Sequence, residues 1–302
     1  MKSKKTAFRG TATALVTPFR DGQIDYTALR NIIEMQISAG IDALVIGGTT
    51  AEAATLTDLE REELYNFSAY VINHRTALIL GTGTNDTATA VRHARLAERV
   101  GCDAMLVVTP YYNKGTEEGI YRHYCVIADS VSVPMILYNV PSRTGVNLGY
   151  PILFRLSENE KVIGLKEASD SVDRLVSLAD FRDTLPLYAG NDSQILPTLA
   201  LGGSGVISVI SNVLPKSVKA LTDAYFFSDT ATALDIQLKL LPLIRALFLE
   251  TNPAPIKHLM STLGLISPEL RLPLAEVRDS TKKILSEEYE ALIHQLGEGY
   301  IG

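Results

Sequence analysis

The sequence has no run of the ~18 consecutive apolar residues that a membrane-spanning helix needs. Its basic opening, "MKSKK", is followed by the polar "TAFRG" where a secretory signal would carry an apolar core. Basic blocks are missing too. The chain holds 28 Lys and Arg against 34 Asp and Glu, for a net charge of −6, which argues against nucleic acid as a partner. Cysteine is scarce: Cys102 and Cys125 have neither CxxC nor metal-site spacing. The five histidines, His74, His93, His123, His258 and His294, are scattered without metal-ligand spacing. "GTGTND" at Gly81 lacks the third glycine of a dinucleotide fingerprint. "LGGSGV" at Leu201 lacks the Lys-Ser/Thr of a phosphate-binding loop, although its backbone N–H groups could hold an anion, as barrel loops near strands seven and eight often do. These absences leave a cytoplasmic protein in a reducing compartment, with no membrane contact, no metal and no cofactor that any motif requires.

What is present is a globular composition, 46% hydrophobic and 21% charged, over 302 residues, enough for one large domain or two small ones. Through the first ~225 residues a short apolar run alternates with an amphipathic stretch, the spacing of βα units. The runs are "ATALVT" from Ala12, "ALVIGG" from Ala43, "ALILGTG" from Ala77, "AMLVVTP" from Ala104, "PMILYNV" from Pro134, "KVIGLKE" from Lys161, "LPLYAGN" from Leu185 and "GVISVIS" from Gly205. Between them lie helical patterns such as "TDLEREELYNFSAYVINH", which opens with a Thr-x-x-Glu capping box at Thr57 and Glu60. Eight units in series fit a closed (β/α)8 TIM barrel better than an open doubly wound sheet, the main alternative. The barrel is expected over residues 1–228, with a purely helical C-terminal extension over 229–302.

Active sites of such barrels lie at the C-terminal ends of the strands, and reactive residues fall there regularly. Strand two ends in "GGTTAEAATL", strand four in "TPYYNK", strand five in "YNVPSRTG", strand six in Lys166-Glu167 and strand seven in "AGNDS". Lys166 follows Val162, Ile163 and Leu165, and an ammonium among apolar side chains is costly unless paired or deprotonated. One reading is a snorkelling lysine whose head reaches solvent or a carboxylate such as Glu167. The other is a Schiff-base lysine that attacks a ketone. Imine formation needs protons delivered and removed. Hydroxyls can pass them because each both donates and accepts, and Tyr138, Tyr111, Tyr112, Thr49 and Thr50 are all at strand ends. Taken alone, Tyr111 and Tyr112 read as rim or interface aromatics. Arg143 is the arginine of these motifs, suited to bidentate capture of a carboxylate, though a lone loop arginine is by default a surface residue.

Taken together and in this order, "ALVTPF", "GTTAEAATL", "GTGTNDT", "VTPYYN", "YNVPSRTG", "GLKEAS", "GGSGVISV" and "NPAPIKHLM" resemble the dihydrodipicolinate synthase family, within the pyruvate-dependent aldolase and lyase superfamily that includes N-acetylneuraminate lyase. The resemblance runs over nearly the whole chain. It implies a barrel with a C-terminal helical extension, a homotetramer built from two tight dimers, and condensation of pyruvate with aspartate semialdehyde on the pathway to lysine. By matching motif it implies that Lys166 forms the imine with pyruvate and that Tyr138 moves protons during carbon–carbon bond formation. Thr49 would link Tyr138 to Tyr112 supplied by the neighbouring subunit, and Thr50 with backbone N–H groups would hold pyruvate's carboxylate. Arg143 would engage the carboxylate of the aldehyde substrate, and the carbonyls of Gly190 and Ile207 would help place that substrate.

Two departures accompany the resemblance. After the two threonines the family usually has Gly-Glu, and here stands Ala51-Glu52; a left-handed backbone at Ala51 would alter the carboxylate grip. Many family members also bind lysine in a cleft between subunits, where a histidine and a glutamate hold its amino groups. The matching positions are Arg61 and Thr89, with Asn85 and Tyr111 retained; inhibition by lysine is therefore expected to be weak or absent. The competing functions are a lyase of a sialic or 2-keto-3-deoxy sugar acid, whose members usually lack the arginine found at Arg143, and a non-catalytic binding barrel.

Overall fold

The computed structural model describes residues 6–297 and 299. Eight parallel strands close into a barrel: β1 (Gly10–Ala14), β2 (Ala43–Ile46), β3 (Ala77–Gly81), β4 (Ala104–Val108), β5 (Met135–Asn139), β6 (Val162–Glu167), β7 (Leu187–Ala189) and β8 (Gly205–Ser208). Each strand pairs with the next, and β1 closes the ring by pairing with both β8 and β2. Each of the eight apolar runs holds one of them, although β1 begins two residues upstream of its run. Thr11 and Thr13 lie in β1 and are fully buried because their hydroxyls bond to Val218 O (3.2 Å) and Gln36 Oε1 (2.6 Å).

A helix follows each strand: α1 (Tyr26–Ser38), α2 (Asp58–Ile72), α3 (Thr87–Val100), α4 (Glu117–Asp129), α5 (Tyr150–Ser157), α6 (Val172–Leu178), α7 (Ile195–Ala200) and α8 (Pro215–Phe226). The capping box opens α2 as the sequence predicts: Thr57 accepts from the Glu60 N–H while Glu60 accepts from the Thr57 N–H. A short antiparallel hairpin, Phe19–Arg20 with Gln23–Ile24, follows β1 and is not anticipated from the sequence.

Strand side chains alternate between two cores. Ala43, Val45, Ile79, Leu106 and Ile136 fill the barrel interior, whereas Leu44, Ile46, Leu80, Val107 and Leu137 pack outward against the helices. Tyr188 stacks on Phe8 (4.4 Å between ring centres) and donates to its carbonyl (2.8 Å), plugging the end of the barrel where the strands begin. The interior is thus solid below and can hold a site only at the strands' carboxyl ends.

The C-terminal extension is helical in three pieces, α9 (Thr230–Ala246), α10 (Ala254–Thr262) and α11 (Asp279–Gln295). It is not purely helical: residues 263–278 form an irregular segment. Gly264 with φ 72° follows α10, and Pro268 and Pro273 then prevent a helix from resuming. No helix among the described residues is long and apolar enough to cross a membrane.

Candidate active site

Alternation along β6 decides the fate of its two charged residues. Lys166 pairs in register with Tyr138 on β5 and Tyr188 on β7. Its ammonium lies 4.4 Å from the centre of the Tyr138 ring, and the residue is only 5% exposed. Glu167 turns the other way. It is fully buried, accepts from Arg174 Nε (2.9 Å) and takes two bonds from Asn139 Nδ2 (2.8 and 3.0 Å). Glu167 is therefore committed to Arg174 and is not the partner of Lys166.

Above Lys166 lies a cavity of about 340 Å³. It brings together Thr49, Thr50, Tyr138, Arg143, Lys166 and Gly190, from the ends of strands two, five, six and seven. Gly190 must be glycine, since a β-carbon there would fall 2.6 Å from Ala168 Cβ and 2.7 Å from Glu167 O. Ile207 lies within β8, with its side chain in the barrel interior and away from both cavities. A second cavity of about 500 Å³ shares Thr49, Tyr138 and Arg143 with the first and extends to Arg61, Thr89 and Tyr111. Asn85 does not line it. Tyr112 joins neither cavity. It is 83% exposed and adopts a left-handed backbone with φ 75°.

The threonine loop is held from several sides. Thr49–Ala51 forms a single tight turn after β2. Ala51 is buried, and its carbonyl accepts from Thr17 Oγ1 (2.9 Å). The left-handed residue of this loop is Glu52, with φ 54°, and not Ala51. The extra methyl therefore meets no backbone penalty. Thr50 is buried and accepts from Asn252 Nδ2 (3.0 Å). Arg143, on the short turn Pro141–Thr144 after β5, donates to the Asn252 carbonyl (3.1 Å).

Among the residues of the Lys166 cavity not singled out from the sequence, two bear on its chemistry. Asp192 follows strand seven and is 2% exposed; its Oδ2 accepts from the Val209 and Ile210 N–H groups, each at 3.0 Å. Burial pushes its carboxyl up, against those hydrogen bonds and the positive charge of Lys166. The sequence signal was the acid in "AGNDS", one of many loop acids. Asn252 comes from the C-terminal extension, as do Ile244, Arg245 and Phe248. "NPAPIKHLM" marked that segment without revealing which side chain enters the site. Among the described residues no group of three or more His, Cys, Asp or Glu is arranged to hold a metal.

An amine at the base of a closed-bottomed cavity, under a phenol and beside two threonine hydroxyls and an arginine, can add to a carbonyl and exchange protons. The arginine suits a substrate that also carries a carboxylate.

Comparison with known proteins is consistent along the chain. The model of the Dihydrodipicolinate synthetase family matches residues 7–292. The 4-hydroxy-tetrahydrodipicolinate synthase of Clostridium novyi is 44% identical over 286 residues, covering 94% of this chain and 97% of that protein. The enzyme of the same name from Geobacter metallireducens is 42% identical over 289 residues, covering 94% of this chain and all of that protein. The structure of the 4-hydroxy-tetrahydrodipicolinate synthase from Methylacidiphilum fumariolicum superposes with a TM-score of 0.94 at 39% identity, covering 96% of this chain and 98% of that one.

Proposed function

The chain belongs to the dihydrodipicolinate synthetase family, and on that premise we propose that it condenses pyruvate with L-aspartate 4-semialdehyde to 4-hydroxy-tetrahydrodipicolinate through an imine at Lys166. The observation that carries this reading is Lys166 itself, buried beneath the Tyr138 ring at the floor of the cavity. The neutral amine attacks the ketone carbon of pyruvate. The resulting carbinolamine takes up a proton and loses water to give a cationic iminium. Loss of a methyl proton leaves an enamine, the carbon nucleophile for the aldehyde.

The remaining roles are those the family resemblance implies, and the lining of the cavities supports them for Tyr138, Thr49, Thr50, Arg143 and Gly190. Tyr138 moves protons on and off the carbinolamine and the new alcohol, with Thr49 beside it in both cavities. Thr50 and the N–H groups of its turn grip the keto acid's carboxylate. Arg143, at the junction of the two cavities, receives the carboxylate of the semialdehyde, and the carbonyls of Gly190 and Ile207 help to orient that substrate. The partner subunit's Tyr112 completes the proton relay. This assignment is supported by the exposure of Tyr112 and its absence from the lining of both cavities of its own chain and requires at least a tight dimer; the full assembly is a homotetramer of two such dimers. The catalytic barrel ends at residue 228 and an extension from residue 229 closes over its mouth; residues 1–5, 298 and 300–302 of the expected ranges lie outside those described. The enzyme works in the cytoplasm. Arg143 favours the small carboxylated aldehyde over a sugar acid.

Borohydride reduction in the presence of pyruvate tests the imine. One three-carbon unit is expected on Lys166 by peptide mass mapping, and none on the Lys166→Ala variant. Labelling that survives in that variant, or its absence from the native protein, removes the imine at Lys166.

A further inference from the structure

Asn252 is the residue of the C-terminal extension that bonds to Thr50. It is 5% exposed and lines both cavities. Its Nδ2 donates to Thr50 Oγ1 at 3.0 Å, and its backbone carbonyl accepts from Arg143 Nη2 at 3.1 Å. Its Oδ1 is buried with no partner. The amide orientation follows from that pattern. Turned the other way, Oδ1 would accept from Thr50 and both N–H bonds of Nδ2 would be left without acceptors. Buried N–H groups tolerate such isolation less well than a carbonyl oxygen does.

The direction of this bond matters for Thr50. A hydroxyl has one hydrogen and two lone pairs. With a lone pair occupied by the Asn252 amide, the O–H of Thr50 cannot point at Asn252 and is available to the cavity its residue lines. The loop has little freedom to escape this arrangement, because Thr17 holds the Ala51 carbonyl and Lys257 holds Glu52.

We propose that Asn252 is a positioning residue for the keto-acid substrate: it sets the Thr50 hydroxyl as a donor to the substrate carboxylate, and its carbonyl fixes Arg143 at the mouth. The inference rests on the reading above that Thr50 grips pyruvate's carboxylate. Asn252 contributes through Thr50 and does not touch the reacting atoms.

Borohydride trapping at varied ketone concentration supplies the test, run in parallel with pyruvate and with methyl pyruvate, the same ketone bearing an uncharged ester. Asn252→Ala should raise the half-saturating pyruvate concentration about tenfold, the loss of one hydrogen bond to a charged group. The value for the ester should change by less than about threefold. In a Thr50→Val background, where the hydroxyl is already gone, Asn252→Ala should add almost nothing for pyruvate. Asn252→Asp keeps the shape but can only accept from Thr50, which reverses the hydroxyl and adds a negative charge. It should weaken pyruvate more than alanine does, again sparing the ester. It also carries the test if the alanine variant does not fold. Equal weakening of pyruvate and ester, or an Asn252→Ala effect as large without the Thr50 hydroxyl as with it, overturns the positioning role. If Thr50→Val alone leaves pyruvate binding unchanged, the carboxylate grip itself is wrong, and the inference falls with it for that separate reason.

Discussion

Lys257 and Glu52 have no exposed side-chain surface and meet at 2.6 Å, joining α10 to the catalytic loop. The Lys257 ammonium also donates to the Thr17 carbonyl (3.0 Å) and lies 4.4 Å from the Phe19 ring centre. Replacing Lys257 with Met keeps a long apolar side chain and removes the charge. Glu52 would keep the Arg271 N–H (2.9 Å) but lose its cation where its side chain has no exposed surface. Breaking a buried pair in this way costs about 3–5 kcal/mol, most of it the penalty of the stranded charge and not the intrinsic worth of the pair. Against a total stability of about 5–15 kcal/mol, that is a large fraction. At about 2 °C per kcal/mol for a chain of this size, the melting midpoint should fall by roughly 6–10 °C. If the stranded carboxylate is the cause, Lys257→Met/Glu52→Gln should recover at least half of the loss, since the amide is neutral and can still accept from Arg271. Scanning calorimetry of the native protein and the two variants at neutral pH provides the measurement. A single variant within about 2 °C of native, or a double variant no more stable than the single, would refute the reasoning.

Three further outcomes are expected. Tyr112→Phe should be nearly inactive, since loss of a proton relay costs about 10²- to 10⁴-fold, and Lys166→Ala should be inactive because it loses the nucleophile. Mixing them under subunit exchange should restore up to about half of native activity, because one site per mixed dimer then holds an intact pair; no recovery, with exchange confirmed by native mass spectrometry, removes Tyr112 from its neighbour's site. Lysine should inhibit weakly or not at all, because the second cavity presents the Arg61 guanidinium to an incoming ammonium, the Thr89 hydroxyl is taken by Asp86, and Asp58 faces His93 at 3.4 Å. A submillimolar inhibition constant contradicts this. Burial holds His123 down to about 4, below its ordinary 6.5. The unfolded chain therefore binds a proton that the folded chain refuses between those values. This contribution to stability is complete above pH 6.5 and disappears as the pH falls toward 4. Titration of the melting midpoint should show His123→Gln losing less stability than native across that window; identical slopes dismiss the assignment.

The strands were legible because parallel barrel strands are buried on both faces and read as unbroken apolar runs. Where polar residues are buried inside a strand the signal weakened, which is why the run read from Ala12 misses Gly10 and Thr11 at the start of β1. The hairpin at Phe19 has two residues per arm, too few for a period to register. Gly264, Pro268 and Pro273 did carry a warning against continuous helix over 263–278, and a stricter reading of them would have found the break. At the site, the residues that terminate apolar runs could be placed by topology alone, which gave the positions of Lys166, Tyr138 and Arg143. Asp192 and Asn252 could not be found in that way. Both lie in short polar stretches where Asp and Asn are ordinary turn formers, and only packing between distant segments distinguishes them from the rest. The exposure of Tyr112, in a loop where both it and Lys114 are left-handed, is likewise announced by no local pattern.

The irregular segment after α10 has a bearing on how such enzymes can be recombined. Arg271 donates to the carbonyls of Gly22 and Thr55 and clasps Glu60 with both guanidinium arms, and its own N–H caps Glu52. A crossover between two parents at residues 228 and 229 would exchange what looks like an appendage. It would nevertheless separate Thr50 from Asn252, Glu52 from Lys257 and Glu60 from Arg271. The heritable unit of catalysis is therefore the barrel together with its tail, and a functional chimera must either keep both from one parent or match these three contacts across the junction.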